Sequence, residues 1–278
     1  MTAGRSLRDR LRVAPGASAV LPGIDPRGTP GVKDRKEAES ARPALAERLH
    51  SLQERLFVEA TRSVLVVLQA MDTGGKDGTI EHVFGTMNPA GLDVAAFKKP
   101  TEEELAHHFL WRIERRLPAP GQIMIFNRSH YEDVLVVRVH ALVTEDVWVG
   151  RYDEINAFEA NAIAAGTTIV KCFLHISYEE QRERLLARLD DHDKQWKFKE
   201  GDIDERAMWT DYQAAYEDAL RRCSTDAAPW FVIPADRKWY RNWAVASLLA
   251  ETLEELDPVY PRPVLDVARL KERLAPPN

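Results

Sequence analysis

Asp72, Lys76 and Asp77 share one glycine-rich run, Ala-Met-Asp-Thr-Gly-Gly-Lys-Asp-Gly-Thr from Ala70 to Thr79. A lysine among glycines is the composition of a phosphate-binding loop. Gly74, Gly75 and Gly78 let backbone N–H groups come close to an anion. Lys76 adds a point charge, and a helix starting there, with Thr79 in its first turn, adds its dipole. The match to G-x-x-x-x-G-K-[ST] is irregular, because Ala70 replaces the first glycine and Asp77 replaces the magnesium-binding hydroxyl. Two carboxylates about 5 Å apart repel by roughly 3 kcal/mol at an effective dielectric near 20. A cation placed between carboxylates and phosphates removes that conflict. Magnesium favours such a mixture of oxygens, and manganese accepts the same set. Asp72 and Asp77 are therefore the expected metal ligands, and with Lys76 they head the expected catalytic set.

A second group is Asn-Arg-Ser-His-Tyr-Glu-Asp, from Asn127 to Asp133. Asn127 and Arg128 stand where an acid usually ends the second strand of a phosphate-loop protein and holds magnesium. Asn127 can do this only as a neutral ligand, and Arg128 can grip a phosphate with two N–H groups. Glu132 and Asp133 follow on the next turn, where either could bind a metal or position the acceptor. Arg128 and Glu132 complete the expected catalytic set. Lys98, Lys99, Asn127, Asp133 and Arg138 are the expected phosphate or nucleotide contacts. So are Arg184, Arg188 and Lys197, which lie in a stretch also carrying Arg182, Lys194 and Lys199. That stretch reads as a lid closing cations over a transferring phosphoryl group. Arg184 and Arg188 share a helix face, with Leu185 and Leu189 expected to point inward. Trp196 and Phe198 suit aromatic packing or a buried hinge. His107, His108 and His130 have no metal-ligand spacing and read as structural.

The elements that must position these groups follow from periodicity. Val64 to Leu68 is an apolar, β-branched run and reads as a buried parallel strand ending at the loop. Further strands are expected at 93–97, 122–126, 167–176 and 230–233. Helices are expected at 34–60, from 76 to 84, from Thr101 to about 116, over 146–164, 178–190, 204–222 and 238–256. Thr101 with Glu104 has the form of a capping box. Strands alternating with helices imply an α/β, three-layer fold with a parallel sheet covered on both faces. Ligands in such sheets bind at the carboxyl ends of strands. The loop, Lys98 and Asn127-Arg128 all follow strand ends, so they should converge.

The chain has 278 residues and net charge −6, so no global positive field recruits nucleic acid or a membrane. An anion site must be built from local clusters. No apolar stretch reaches transmembrane length. Cys172 and Cys223 are far apart, and Cys172 lies in an apolar run, which fits a reducing cytoplasm. Arg5, Arg8, Arg10 and Arg12 lack the apolar core of a signal peptide. Residues 1–33, rich in Pro, Gly and Arg, read as an extended arm on the surface or on a neighbouring subunit. Residues 34–260 read as the phosphotransferase domain, with the lid at about 182–205, and 261–278 as a tail.

Four segments in order resemble the type 2 polyphosphate kinases. They start at Ala70, at Lys99 (Lys-Pro-Thr-Glu-Glu-Glu-Leu), at Phe126 (Phe-Asn-Arg-Ser-His-Tyr-Glu-Asp-Val) and at Leu174 (Leu-His-Ile-Ser). The resemblance implies a thymidylate-kinase-like P-loop kinase fold with a helical lid. It implies phosphoryl transfer between inorganic polyphosphate and adenine nucleotides, with guanine nucleotides as further candidates, and magnesium as cofactor. It implies Asp72 and Asp77 at the metal, Lys76 at phosphate, Asn127 and Arg128 as the second motif, and a homo-oligomer, dimer or tetramer. Asn127, where many members carry Asp, resembles the branch accepting both AMP and ADP. The competing readings are an ATP-dependent nucleoside monophosphate kinase and a nucleotide-binding switch without turnover. The missing hydroxyl after Lys76 weighs against the first. The paired loop aspartates weigh against the second.

Overall fold

The protein is described by a computed structural model covering residues 6–274; Arg5 lies outside the described residues. Helix α1 (Leu7–Leu11) opens the chain and is capped by Ser6. Helix α2 (Arg35–Glu59) starts at Asp34, which accepts from the Glu37 N–H, and ends at Ala60 in the left-handed region. Strand β1 (Ser63–Ala70) follows, and Val64 to Leu68 are each at most 1% exposed. A strand buried on both faces is what a parallel sheet requires. The loop then enters α3 (Lys76–Thr79), which continues as one wide turn over Ile80–Phe84.

Strand β2 (Leu92–Ala96) leads to α4 (Glu102–Leu105), where Thr101 and Glu104 form the expected capping box. The expected helix from Thr101 to about 116 is broken, resuming only as α5 (Trp111–Glu114). Between the two pieces His107 stacks on Trp111 and His108 meets Glu154, while Arg112 turns inward to donate to the Lys98 carbonyl. Tertiary contacts here override helical propensity. Strand β3 (Ile123–Asn127) precedes a single tight turn at His130–Asp133 and α6 (Val136–Val139). Then come α7 (Glu145–Ala164), β4 (Thr167–His175) and α8 (Tyr178–Asp190). The expected helix 204–222 is two helices, α9 (Gly201–Ala207) and α10 (Trp209–Arg222), parted at Met208. Strand β5 (Trp230–Pro234), α11 (Lys238–Leu256) and α12 (Val267–Leu274) complete the chain.

The five strands are parallel in the order β2-β3-β1-β4-β5. The connection from β1 runs past β3 to β2, and the connection from β3 runs past β1 to β4, so the two leave in opposite directions and open a crevice between the carboxyl ends of β1 and β3. Helices α2 and α11 pack together, and α7 packs on β4. The N-terminal arm is held by its own chain. Leu7, Leu11, Val13, Val20 and Leu21 are buried, Val13 donates to the Trp230 carbonyl at 2.8 Å, and Glu217 accepts from the N–H groups of Val20 and Leu21. Both cysteines are buried and free, with their thiols pushed up to about 12 by burial. No helix among the described residues is long and apolar enough to cross a membrane.

Candidate active site

The carboxyl ends of β1 and β3 bring Asp72, Lys76, Asp77, Asn127, Arg128 and Glu132 together. Arg128 donates through Nη2 to Asp72 Oδ1 at 3.0 Å, and its Nη1 lies 3.6 Å from Glu132. Asn127 donates to Asp77 Oδ1 at 2.7 Å. Lys76 Nζ donates to the Ala70 carbonyl at 3.0 Å. Burial, and then the Arg128 charge, lower the pKa of Lys76, against the pull of Asp72, Glu132 and Asp77. Burial raises the pKa of Glu132 although Arg128 and Lys76 favour its charge. Burial opposes the charge of Arg128, and Glu132 and Asp72 outweigh it. Two cations thus face three carboxylates in a confined space.

The loop needs its glycines for stated reasons. A Cβ on Gly74 would sit 2.4 Å from the Cβ of Ala70, so the alanine in place of the usual glycine is matched by a glycine opposite. Gly75 has φ +100, and a Cβ there would sit 1.7 Å from Nη1 of Arg241. Thr73 and Arg128 are left-handed without being glycine, at φ 63 and φ 64. Such strain persists only where surrounding bonds enforce it. Here Arg184 Nη1 donates to the Thr73 carbonyl at 2.9 Å, Gln181 to the Asp72 carbonyl at 3.2 Å, and the Arg128 N–H to the Leu68 carbonyl at 3.1 Å.

Asp72 and Asp77 each leave one carboxylate oxygen without a protein partner among the described residues. No three His, Cys, Asp or Glu side chains among those residues could enclose a metal alone. A cation here would complete its shell with phosphate oxygens and water, as magnesium does. The donor set therefore fits magnesium held by Asp72 and Asp77. Such an ion, when bound, would supply charge neutralisation to phosphates at the loop.

Several expected contacts lie elsewhere. Asp133 turns away from the loop to Arg151 Nη1 at 3.2 Å, and burial pushes its carboxyl up to about 6. Arg138 pairs with Asp218 at 2.7 Å and covers the Trp148 ring. Arg184 is buried rather than a free lid cation: besides Thr73 it donates to the carbonyls of Ala235 and Asp236 and to Glu180. Arg188 lies 3.8 Å from Asp202. Leu185 points inward as expected, but Leu189 is 40% exposed. Trp196 is 75% exposed, with Lys197 over its ring, so it is no buried hinge. Lys98 and Lys99 are exposed after β2. His130 is buried against Glu159, a structural role as expected.

Other site residues escaped the motifs. A cleft of 160 Å³ opens beside Asp72, Arg128 and Glu132 and is closed by Glu205, Tyr212 and Tyr216. Tyr212 donates to Glu205 at 2.6 Å, and His140 lies 2.9 Å from the same carboxylate. The helical period of α10 places Tyr212 and Tyr216 on one face, which is the only local sign of them.

A parallel sheet with a phosphate loop at its switch point, a lysine, an arginine and spare carboxylate oxygens defines a P-loop phosphotransferase. The family profile described as Polyphosphate kinase 2 (PPK2) matches residues 32–259. The chain belongs to the polyphosphate kinase 2 family. It is 52% identical over 255 residues to the AMP/ADP-polyphosphate phosphotransferase of Meiothermus ruber, covering 91% of this chain and 96% of that protein. It is 46% identical to the ADP-polyphosphate phosphotransferase of Rhodopseudomonas palustris over 240 residues, 82% of each chain. The crystal structure of polyphosphate kinase 2 from Arthrobacter aurescens TC1 superposes with a TM-score of 0.94 at 45% identity, covering 97% of this chain and 96% of that one.

Proposed function

We infer that this chain is a polyphosphate-dependent nucleotide kinase that moves phosphoryl groups between inorganic polyphosphate and ADP or AMP. The observation that carries the reading is the convergence of Lys76 and Arg128 with the half-free carboxylates of Asp72 and Asp77 at one strand end. Lys76 and Arg128 meet the charge on the transferred group, and their positions precede substrate, so little reorganisation accompanies transfer. Arg128 is aimed by Asp72 and Glu132. Asp72 and Asp77 would hold magnesium, and the ion would supply charge neutralisation to the phosphates.

Acceptance of both AMP and ADP is supported by Asn127, whose neutral side chain leaves room for more than one phosphate register, and by the name of the Meiothermus ruber relative. A cytoplasmic location, guanine nucleotides as further acceptors and a homo-oligomer are proposals of the same reading. The decisive experiment supplies purified protein with magnesium, long-chain polyphosphate and either ADP or AMP. ATP from ADP and ADP from AMP are the expected products. A requirement for ATP as donor, or no product with polyphosphate, would overturn the reading. Failure with AMP alone would remove only the dual acceptor.

A further inference from the structure

Strand β4 carries one lysine, Lys171, inside the apolar run from Ile169 to Leu174, and the sheet buries it completely. Its ammonium donates in three directions: to Glu159 Oε2 on α7 at 2.5 Å, to the Cys223 carbonyl at 2.6 Å and to the Tyr131 hydroxyl at 3.0 Å. Glu159 is buried as well. Its other oxygen accepts from the Tyr131 hydroxyl at 2.8 Å and lies 3.3 Å from His130 Nε2. Burial holds His130 below the ordinary histidine value, so lysine and glutamate form a closed, neutral pair. Neither of them lines the cleft beside Asp72, and phosphoryl transfer makes no direct use of them.

Such a pair adds little stability. Taking two charges out of water costs about as much as their attraction returns, and apolar side chains of similar volume are often as stable or more so. What the pair supplies is geometry, because three elements meet on one ammonium. Two of them are walls of the site. The turn from Arg128 to Asp133 sends Arg128 and Glu132 to the cleft, and His130 and Tyr131 into the core against Glu159 and Lys171. Cys223 ends α10, the helix that closes the cleft with Tyr212 and Tyr216. Arg128 holds a left-handed backbone at φ 64, which persists only where its surroundings enforce it. On the sheet side, its N–H bonds to the Leu68 carbonyl, and Gln69 donates to Ser129 Oγ at 3.2 Å. On the core side, the restraint is the Tyr131 hydroxyl, held between Lys171 and Glu159. The Tyr131 ring meets Trp230 edge-on with centroids 4.7 Å apart, which fixes its plane.

We propose that Lys171, Glu159 and Tyr131 are positioning residues for phosphoryl transfer. They set the Arg128–Glu132 turn against α10, so that the Arg128 guanidinium is aimed before substrate arrives; the assignment rests on the kinase reading above. They touch no substrate themselves. Without the network, the turn and α10 are no longer held to one point, and a misplacement near 1 Å can cost about 10²-fold in rate.

The test compares Tyr131→Phe and the paired Lys171→Met/Glu159→Leu, each alone and combined with Arg128→Lys. It reads kcat and KM with ADP and polyphosphate, well below each melting temperature. Tyr131→Phe keeps the ring and its packing on Trp230, and should lower kcat about tenfold with both KM values within about threefold of wild type. The paired variant removes both charges together and should melt close to wild type, yet lose kcat at least about tenfold. Combined with Arg128→Lys, either change should cost at most about twofold more, because the group being aimed is already gone. A network that only stabilises the fold gives another pattern, with losses that follow melting temperature and multiply with Arg128→Lys. Wild-type kcat in Tyr131→Phe, or fully multiplicative losses, would refute the proposal even if the paired variant failed to fold. The NMR resonance of the Arg128 Nε–H, assigned by its loss in Arg128→Lys, gives a readout that needs no turnover: it should shift in Tyr131→Phe, and an unchanged resonance would also refute the proposal. Wild-type protein that made no ATP from ADP and polyphosphate would overturn the kinase reading instead, and the resonance would still decide the positioning.

Discussion

Replacing Lys76 by methionine separates the catalytic use of the loop from its cost. Methionine keeps most of the stem and removes only the ammonium. That ammonium donates to the Ala70 carbonyl and lies among Asp72, Asp77, Glu132 and Arg128. Removing one preorganised donor from a site where charge develops typically lowers kcat by about 10²–10³, or ~3–4 kcal/mol of transition-state stabilisation. The structure gives stability the opposite sign. Burial and Arg128 lower the pKa of Lys76, so the folded protein holds this proton less tightly than the unfolded chain. The charge therefore costs stability at neutral pH, and that cost fades as pH rises towards 10.5, the ordinary value for a lysine. Lys76→Met should melt no lower than wild type at pH 7, and any advantage should shrink as pH rises towards 10.5. The assay pairs kcat with ADP and polyphosphate against thermal unfolding at several pH values. Turnover within about fivefold of wild type, or a variant that unfolds well before it, would refute the reasoning.

Asp72→Asn and Asp77→Asn should each lower kcat at least about tenfold and raise the magnesium needed for half-maximal rate, with a smaller effect on nucleotide KM; unchanged magnesium dependence would contradict the proposed ion. Gly75→Ala should lower stability by about 1–3 kcal/mol through its left-handed backbone and displace Arg241, which chemical denaturation and the polyphosphate KM would both report. Asp133 carries a carboxyl raised by burial to about 6, so its folded form prefers the proton and wild type loses stability as pH rises through that value. Asp133→Asn should therefore gain stability relative to wild type above pH 6, with the gain vanishing below about pH 4; denaturant titrations at both pH values measure it, and no pH-dependent difference would refute the assignment.

Local chemistry in the chain was legible where it depends on neighbours in sequence. The β-branched run before the glycines specified a buried strand, and Thr101 with Glu104 specified a cap, because strand and cap are both short-range structures. The loop aspartates, Lys76, Arg128 and Glu132 converge as strand-end logic requires. Arg138, Asp133 and Arg184 show the limit. Charge can be read from sequence, but the group lying opposite cannot, and the fold supplied Asp218, Arg151 and a row of carbonyls. Arg241 gave no signal at all. Its partner in space is Gly75, far away in the chain, and it sits in an ordinary helix start after the last strand.

The reassignment of Arg184 changes what a moving lid can deliver. Arg184 is bonded to Thr73, Ala235 and Asp236, and Gln181, on the same helix, is bonded to Asp72. These bonds hold the strained Thr73 in its left-handed conformation, so the first turns of α8 belong to the static frame of the loop. A segment that opens must lie beyond them. Residues 191–200 are almost wholly exposed, and α9 beyond them brings Glu205 to the cleft. Closure of that segment over phosphates would therefore bring Lys194, Lys197 and Lys199, with Arg188 at its edge once released from Asp202. These exposed cations gain most from a polyanion, because nothing buried has to be broken for them to reach it. On this reading Arg128 and Lys76 would stay fixed and mark the point of transfer, and the exposed lysines would add charge only on closure.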